Sequence, residues 1–352
     1  MDKLRESLKK IGKNKVLTNL FIQFVKEVET KLEHEGSVRD DVTKHLIDSI
    51  FEQGDTFIKS TSLGSNFKFP VGVGSKVSRE FLLSNPEIPE YAWEPQTTKL
   101  LLHLAKNTKN VFVGGAYFGD QVIPIAQMIT ENGGIVHAFD LNKLQHELLK
   151  INTELNDLNN VNAVLAGLWN DSSTHLNLSE SDDLAFATPS TDDKESNTVT
   201  IDEFVISNKI SNVDLIMLDI EGSEYNALLG AKAQLAKPEG KCPNIIFEIH
   251  NSYVDWDNGL DKTNITKFLA SFGYQMFSVR DFQGNYDLKN KKIELIPLTA
   301  TYLKGPPHGF NIVALKNTEI LTGDQFRYCD NVSPKYLVHK DPALHHPIDG
   351  LT

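Results

Sequence analysis

Four ionisable residues stand at the ends of two apolar runs in the second half of the chain. The run VDLIML leads directly to Asp219 and Glu221, and the run NIIFEIH carries Glu248 and His250 two residues apart. Unbroken apolar runs of this length are typical of strands buried on both faces, and residues two apart on a strand point the same way. If the two strands are neighbours, the four side chains converge at the carboxyl end of the sheet, where open α/β sheets bind ligands.

These side chains could remove a proton from an acceptor molecule. His250 is the first candidate for the base, because an imidazole with a pKa of about 6.5 titrates near neutral pH. Asp219 is the alternative base. Asp219, Glu221 and Glu248 could instead hold a divalent ion such as magnesium, which would lower the pKa of an acceptor hydroxyl. Their spacing matches no recognised ligand set, so the sequence assigns no metal ligand.

A glycine-rich stretch at residues 110–142 predicts a cofactor site. An apolar run leads to Gly114, Gly115 and Gly119, and after a helical pattern a second apolar run ends at Asp140. This pattern indicates a strand, a glycine turn, a helix and a second strand. A carboxylate about 20 residues past such a turn can accept hydrogen bonds from both ribose hydroxyls of an adenosine. The stretch therefore predicts a nucleoside cofactor.

The spacing of the glycines selects among such cofactors. Dinucleotide-binding turns read G-x-G-x-x-G, because the pyrophosphate needs close approach to the backbone and to a helix N-terminus. Here the glycines fall as G-G-x-x-x-G, with the bulky Tyr117 and Phe118 before the last one. S-adenosylmethionine has no diphosphate, so this turn favours it over NAD. The competing explanation is that the glycines serve only close packing of a strand on a helix.

Further candidate cofactor residues lie beyond the turn. The segment YAWEP precedes a helix that enters the sheet just before the glycine strand, which places Glu94 near the cofactor end of the sheet or, equally, in a packing role. Leu141 follows the ribose acid. Gly167 and Leu168 end the third strand, where apolar neighbours would cover an adenine ring.

The N-terminal region predicts two amphipathic helices, one over residues 16–33 and one from about Val38 to Gln53. We expect this pair to pack on its own chain or to join two subunits in a homodimer. A membrane surface is the weaker interpretation, because acidic residues on the polar faces disfavour anionic lipid.

Charge and composition exclude several classes of partner. The formal net charge of −12 argues against an electrostatic grip on nucleic acid. No apolar stretch is long enough for a membrane span, and the first residues lack the apolar core of a secretory signal. These features predict a cytoplasmic protein that binds neither nucleic acid nor a bilayer core.

The motifs together resemble those of the FkbM-type S-adenosylmethionine-dependent methyltransferases. The resemblance covers about residues 110–315 and includes the glycine turn, FDLN, INTELNDLNNV, TIDEF, LDIEGSEYNALLGA and IIFEIH in the family's order. It implies an α/β fold with a doubly wound, mostly parallel, seven-stranded class I (Rossmann-like) sheet whose last strand is reversed. By this likeness Gly115, Ala116 and Gly119 form the cofactor turn, with Gly114 and Phe118 beside them, and Asp140 is the ribose acid.

The resemblance implies methyl transfer to a hydroxyl oxygen of a sugar, glycan or natural product. N-methylation of an amino sugar or amine is an alternative in the same class. A cofactor-binding scaffold without catalysis is a third interpretation, because Val113 stands where relatives usually carry an acid, although Glu94 could replace that acid. Tyr117 and Met217 also depart from the family, which often has Asn and Lys at these positions.

This interpretation divides the chain into four parts. We predict a helical appendage at residues 1–60, a linker or lid at 61–92, the methyltransferase domain at 93–317 and a C-terminal tail at 318–352.

Overall fold

The structure, a computed structural model, describes residues 2–52, 54–61, 63–71, 75–84, 93–178, 187–190, 196–282, 284, 290–303 and 309–336. The α-helices are α1 (Asp2–Gly12), α2 (Lys15–Lys31), α3 (Lys44–Ile50), α4 (Lys76–Leu83), α5 (Pro95–Ala105), α6 (Val122–Ile129), α7 (Lys143–Leu155), α8 (Ile201–Ser207), α9 (Glu224–Leu229), α10 (Lys232–Leu235) and α11 (Asn264–Ser271). A π-helical segment, Val38–Thr43, precedes α3.

The strands are β1 (Thr56–Ser60), β2 (Asn66–Pro70), β3 (Asn110–Gly114), β4 (Ile135–Asp140), β5 (Val161–Leu165), β6 (Gly167–Leu168), β7 (His175–Leu178), β8 (Ala187–Ser190), β9 (Ser196–Val199), β10 (Leu215–Leu218), β11 (Asn244–Ile249), β12 (Gln275–Arg280), β13 (Ile293–Pro297), β14 (Phe310–Leu315) and β15 (Phe326–Tyr328). Short 3-10 turns cover Thr130–Asn132, Leu260–Lys262, Leu298–Ala300 and Thr318–Leu321.

The central sheet has nine strands in the order β15-β13-β12-β14-β11-β10-β3-β4-β5. Neighbours from β5 to β11 are parallel, and β14 runs antiparallel to both β11 and β12. Within this sheet the first strand along the chain is β3, which lies in the middle. β4 and β5 extend the sheet to one edge, and the strands from β10 onward extend it from the other side of β3 to the opposite edge. This confirms the predicted doubly wound α/β fold with its reversed last strand, in the seven strands from β5 to β12. β13 and β15, which were not predicted, extend the sheet.

Two apolar layers cover the faces of this sheet. Side chains alternate along a strand, so neighbouring residues of β10 enter different layers. Ile216 packs in the layer that includes α8, α9 and α11, whereas Met217 packs in the layer that includes α5 and α6. All four residues of β10 are buried, which explains why this strand reads as an unbroken apolar run.

The first part of the chain packs onto the sheet domain through phenylalanines. Phe67 and Phe69 of β2 and Phe81 of α4 lie against Phe118, which follows the glycine turn, and all four are fully buried. The hairpin of β1 and β2 spans residues 56–70, so the boundary predicted after residue 60 falls inside it. The described residues from 2 to 84, called the appendage below, therefore contain a hairpin as well as helices.

Segments of residues 167–178, 187–190 and 196–199 form a small sheet in the order β6-β9-β7-β8. The tail predicted from residue 318 begins with a packed segment that contains β15, and its pair His345 and His346 lies outside the described residues. Among the residues that the structure describes, no helix is long and apolar enough to cross a bilayer.

Candidate active site

The turn after β3 has a backbone conformation that needs glycine. Gly115 has a φ of +76° and Gly119 a φ of +95°, both in the left-handed region. A Cβ atom on Gly115 would overlap the carbonyl oxygen of Asp219. The backbone N–H groups of Gly115 and Ala116 both donate to the carbonyl of Phe139, at 3.0 Å each. The turn therefore lies directly against the ends of β4 and β10.

Asp140 ends β4 with its carboxylate fixed by backbone donors. The N–H of Tyr117 donates to Oδ2 at 2.8 Å, and the N–H of Asn142 donates to Oδ1 at 2.7 Å. Burial raises the pKa of Asp140 to about 6, and these two donors limit the rise. The group is therefore ionised at neutral pH, and each oxygen keeps a further lone pair for a hydroxyl donor.

A cavity of about 480 Å³ opens at the carboxyl ends of β3, β4, β10 and β11. Its lining includes the predicted cofactor residues Glu94, Gly114, Gly115, Ala116, Asp140, Leu141, Gly167, Leu168 and Asp219, and the predicted catalytic residues Glu221, Glu248 and His250. This volume lies within the range of small-molecule sites. The structure thus places the two predicted sets of residues around one space.

Two predicted cofactor residues lie behind the wall of this cavity. Phe118 is fully buried among the phenylalanines that join the appendage to the sheet domain. Gly119 packs so closely on α7 that a Cβ atom would lie 2.8 Å from Cδ1 of Leu149. Tyr117 does line the cavity, and its hydroxyl is 2.7 Å from Oγ of Ser75, which also lines it. The appendage therefore forms part of the cavity wall.

Glu94 is held at the deep end of the cavity. It precedes α5 in the left-handed conformation, with a φ of +50°, and only 6% of it is exposed. Nδ2 of Asn311, on β14, donates to Oε2 of Glu94 at 2.5 Å. Burial raises the pKa of Glu94 to about 8, against the opposing effect of the nearby charge of Lys335.

Three carboxylates converge where β10 and β11 end side by side. Oxygen atoms of Asp219, Glu221 and Glu248 lie within 4.8 Å of one another. Leu218 pairs with Phe247 in the parallel register, so the residues that follow them reach the same edge. The convergence predicted from the two apolar runs is therefore present, and the three oxygens have a spacing that could accept a cation.

Two of these carboxylates share a proton. Asp219 and Glu248 form a side-chain hydrogen bond, and burial raises the pKa of both groups. The hydrogen bond from Glu248 opposes the rise at Asp219, while the negative charge of Asp219 adds to the rise at Glu248. Glu248 therefore binds the proton of the pair more tightly, and Asp219 is the member that ionises first.

His250 lines the same cavity with one ring nitrogen already engaged. The backbone N–H of Ser252 donates to Nδ1 of His250 at 3.0 Å. Burial lowers the pKa of His250, with the charges of Lys335 and Lys76 acting in the same direction, so the ring is neutral near pH 7. A neutral imidazole that accepts at Nδ1 carries its proton on Nε2. In this arrangement His250 is a hydrogen-bond donor, and Asp219 is the better placed base.

Lys335 places a positive charge among these acids and was not identified from the sequence. Only 7% of it is exposed, and it interacts electrostatically with Glu94, Glu248 and Asp281. Its backbone is bridged to Asp281, whose carboxylate accepts the N–H groups of Gln96 and Thr97 at the start of α5. The segment after β15 therefore completes the deep end of the site.

Two more buried acids escaped the sequence analysis. Asp120 directly follows Gly119, lines the cavity and has its pKa raised to about 7 by burial and by the charge of Asp219. Glu224 accepts the N–H groups of Ile220 and Gly222, so it shapes the loop after β10. Two features of the sequence could have identified them. Asp120 directly follows the last glycine of the turn, and Glu224 is the last residue of the segment DIEGSE.

The departures from the family pattern at Val113 and Met217 have different consequences. Val113 lines the cavity, so the acid that it replaces would have faced this space. Glu94 and Asp120 supply carboxylates in the same cavity. Met217 is fully buried in the apolar layer beneath the sheet, away from the cavity lining.

A doubly wound sheet with a glycine turn and a fixed acid at its carboxyl edge defines a nucleoside-cofactor α/β enzyme. Residues 114–276 match the family described as the methyltransferase FkbM domain. Residues 114–276 are therefore an FkbM methyltransferase domain, which confirms the resemblance stated from the sequence. S-adenosylmethionine, the cofactor predicted from the glycine spacing, is the cofactor of this class.

Solved structures with similar folds include the methyltransferase FkbM from Methylobacillus flagellatus KT, with 13% identity and a TM-score of 0.35. That match covers 59% of this chain and 44% of the Methylobacillus protein, so less than half of that protein is represented. The O-methyltransferase from Bacillus cereus has 15% identity and a TM-score of 0.36, with 65% and 84% of the two chains covered. These values are too low for inferences about function. No curated protein matches the chain in sequence.

Proposed function

We propose that this protein transfers the methyl group of S-adenosylmethionine to a hydroxyl oxygen of a sugar, glycan or similar polyhydroxylated acceptor. The observation that supports this proposal is the shared cavity, in which the fixed carboxylate of Asp140 and the glycine turn open onto Asp219, Glu248 and His250. The end of the cavity at the glycine turn has groups that can bind an adenosine. The end at Asp219, Glu248 and His250 has groups that can accept or donate a proton.

The cofactor fits the residues present on the grounds of charge and shape. Asp140 accepts the ribose hydroxyls, and Gly167 and Leu168 cover the adenine. Asp120 would attract the cationic amino group at the methionine end, and Glu94, which is protonated near neutral pH, would offer that group a hydrogen-bond acceptor. S-adenosylmethionine, when bound, supplies a methyl group that its sulfonium centre has already activated for displacement.

The protein then has to orient the acceptor and take up its proton. Asp219 accepts that proton, because it is the ionised member of its pair with Glu248. His250 donates from Nε2 to an oxygen of the acceptor and so orients it. Glu221, whose carboxylate lies in the same cluster, accepts a hydrogen bond from a neighbouring acceptor hydroxyl.

The charge of the cavity supports a neutral acceptor. Its described lining contains six acidic residues, Glu94, Asp120, Asp140, Asp219, Glu221 and Glu248, against the single lysine Lys76. Glu94 is protonated near neutral pH and Glu248 holds the proton of its pair with Asp219, so the negative charge comes from the other acids. Carboxylates accept hydrogen bonds from hydroxyl groups and repel phosphate or carboxylate groups. A sugar or polyol therefore fits better than an anionic acceptor such as a sugar phosphate.

Two alternatives use the same carboxylates. An amine acceptor would be attracted to the cluster as an ammonium ion and would have to lose a proton before it could accept a methyl group. A divalent cation held by Asp219, Glu221 and Glu248 would lower the pKa of an acceptor hydroxyl. Lys335 already places a positive charge beside Glu248, which reduces the electrostatic need for such an ion.

A methyl-transfer assay with tritium-labelled S-adenosylmethionine tests the proposal. The purified full chain is incubated with matched sets of neutral sugars, amino sugars and sugar phosphates, and the labelled product is identified by mass spectrometry and NMR. We expect label on a hydroxyl oxygen of a neutral acceptor, and loss of transfer in Asp219→Asn. Label on nitrogen would select the amine alternative. Tight cofactor binding without transfer to any class of acceptor would favour the scaffold interpretation.

A further inference from the structure

The outward side of α2 is apolar. Val16, Leu17, Leu20 and Phe24 have exposed fractions of 69%, 44%, 57% and 55%. Residues four apart on a helix share a face, so these four side chains form one continuous stripe, which we call the α2 stripe. The inward side of the same helix is buried through Val25. The helix is thus apolar on two sides, and the described part of the chain covers only one of them.

The sequence around the α2 stripe is strongly basic. The first 15 residues contain six Lys or Arg and two Asp or Glu, in a chain whose formal net charge is −12. Lys3, Lys10, Lys13 and Lys15 are exposed on α1 and at the start of α2. This corner of the molecule is therefore cationic although the whole protein is anionic.

The acidic residues that argued against a lipid surface are mostly paired. Glu27 lies on the same side of α2 as the α2 stripe and forms an ion pair with Lys31. Glu29 accepts a hydrogen bond from Thr43 at 2.5 Å on the inward side. Glu52 is paired with Lys9 and Lys13. Among the other exposed charged residues of α1 and the start of α2, Lys3, Lys10 and Lys15 then outnumber Glu6.

This charge distribution discriminates between two occupants of the α2 stripe. A second copy of the chain would form a two-fold interface, in which the same patch meets itself. Such an interface would bring the lysines of both copies together and disfavour their association. A bilayer with anionic headgroups offers an apolar region for the stripe and negative charge for the lysines that flank it.

We propose that α1 and α2 bind the surface of an anionic lipid bilayer. Leu20 and Phe24 enter the boundary between headgroups and acyl chains, and the flanking lysines contact the phosphates. The anionic remainder of the protein is repelled by the same surface, which fixes the orientation of the protein on it.

Vesicle co-sedimentation with the full chain tests this proposal independently of methyl transfer. We expect the protein to pellet with vesicles of phosphatidylcholine and phosphatidylglycerol in equal parts, and to stay in solution with pure phosphatidylcholine. Leu20→Ser with Phe24→Ser should abolish pelleting, as should Lys10→Glu with Lys15→Glu. Added salt should weaken the binding of the wild-type protein, because headgroup attraction is screened.

Matched control variants distinguish a specific effect at the α2 stripe from a general effect of replacing exposed apolar or basic residues. Ile206→Ser replaces an apolar residue that is 75% exposed on α8, and Lys232→Glu with Lys241→Glu reverses two exposed charges in and after α10. Both controls should pellet like the wild-type protein. Equal pelleting of the Leu20→Ser/Phe24→Ser variant would overturn the proposal. A dimer in sedimentation equilibrium that the same variant dissociates would assign the stripe to a second copy and also overturn it.

Discussion

The backbone N–H of Tyr117 donates a hydrogen bond to Oδ2 of Asp140, with 2.8 Å between the two heavy atoms. This contact joins the glycine turn after β3 to the acid at the end of β4, so the two predicted parts of the cofactor site form one unit. Its consequence is that the carboxylate is oriented before any ligand arrives, which lowers the entropic cost of binding.

Replacing Asp140 with Ala should weaken the binding of S-adenosylmethionine. The loss of hydrogen bonds between two ribose hydroxyls and an oriented carboxylate should reduce the affinity at least about 10-fold. Asp324→Ala, at an exposed position remote from the cavity, is the matched control and should bind like the wild-type protein. Unchanged affinity of the Asp140→Ala variant in a calorimetric titration would show that this acid does not hold the ribose.

The affinity for S-adenosylmethionine should rise with pH. Asp140 and Asp120 have pKa values raised by burial, to about 6 and about 7, and each must be ionised to accept hydroxyl donors or attract a cation. Protonation therefore removes binding as the pH falls through these values. S-adenosylhomocysteine keeps the ribose hydroxyls and the amino group, so its affinity should show the same pH dependence in these titrations. An affinity for either ligand that does not change with pH would contradict this explanation.

Asp219 and His250 should differ in their effects on catalysis. If Asp219 is the base, Asp219→Asn should lower kcat by about 10² to 10⁴-fold. His250→Gln keeps a side-chain N–H donor, so its kcat should fall by about 10-fold or less, in line with one altered hydrogen bond. Single-turnover measurements at saturating cofactor make this comparison. A loss in His250→Gln as large as that in Asp219→Asn would instead identify His250 as the base, as first inferred from the sequence.

Lys335→Met should move the pH profile of methyl transfer. The charge of Lys335 lowers the pKa of Glu94 and of Asp219, so its removal raises both pKa values. The acid side of the kcat/KM profile should therefore shift to higher pH, and Lys335→Arg should restore part of the shift. Lys241→Met, at an exposed position, is the control.

The same variant should change the pH dependence of stability. Carboxyl groups whose pKa is higher in the folded state than in the unfolded state lose stabilising free energy as the pH rises between the two values. The free energy of unfolding of Lys335→Met should therefore decline more steeply above the ordinary carboxyl pKa than that of the wild-type protein. Parallel unfolding curves, followed by urea denaturation across the pH range, would mean that Lys335 does not balance these acids.

Gly309→Ala should disturb catalysis without unfolding the protein. A Cβ atom at this position would overlap Oε1 of Glu248 and would lie 2.8 Å from Cδ2 of His250. The end of the Glu248 side chain can move away, so the fold should persist while the pair with Asp219 is broken. We expect a reduced kcat with an unchanged thermal midpoint. Wild-type kcat in this variant would show that the position of Glu248 is unimportant for transfer.

The parts of the site that were predictable depend on short stretches of sequence. The glycine turn, Asp140 and the residues after β10 and β11 each follow directly from an apolar strand, and the parallel topology then brings the strand ends together. Lys335 and Asn311 could not be found in this way. Asn311 lies on β14 and Lys335 lies in the segment after β15. Both are distant in sequence from Glu94, and only the tertiary structure brings them beside it.

The sequence pattern also did not predict which way a side chain points where two directions were possible. Phe118 was assigned to the cofactor because it lies in the turn, but it faces the phenylalanines of the appendage. The apolar residues of α2 were expected to pack on this chain or on a second subunit, and within the described residues of one chain Val16 and Leu20 face outward. Periodicity identifies a helix with apolar sides, but it does not determine which side the rest of the chain covers.

The most direct test of the proposed cofactor site is a calorimetric titration of the wild-type protein with S-adenosylmethionine, with S-adenosylhomocysteine and with NAD. We expect one binding site per chain for each sulfur nucleoside and no binding of NAD, because the turn after β3 lacks the G-x-G-x-x-G spacing that a pyrophosphate needs. Absence of binding by both sulfur nucleosides, or preferential binding of NAD, would contradict the proposal.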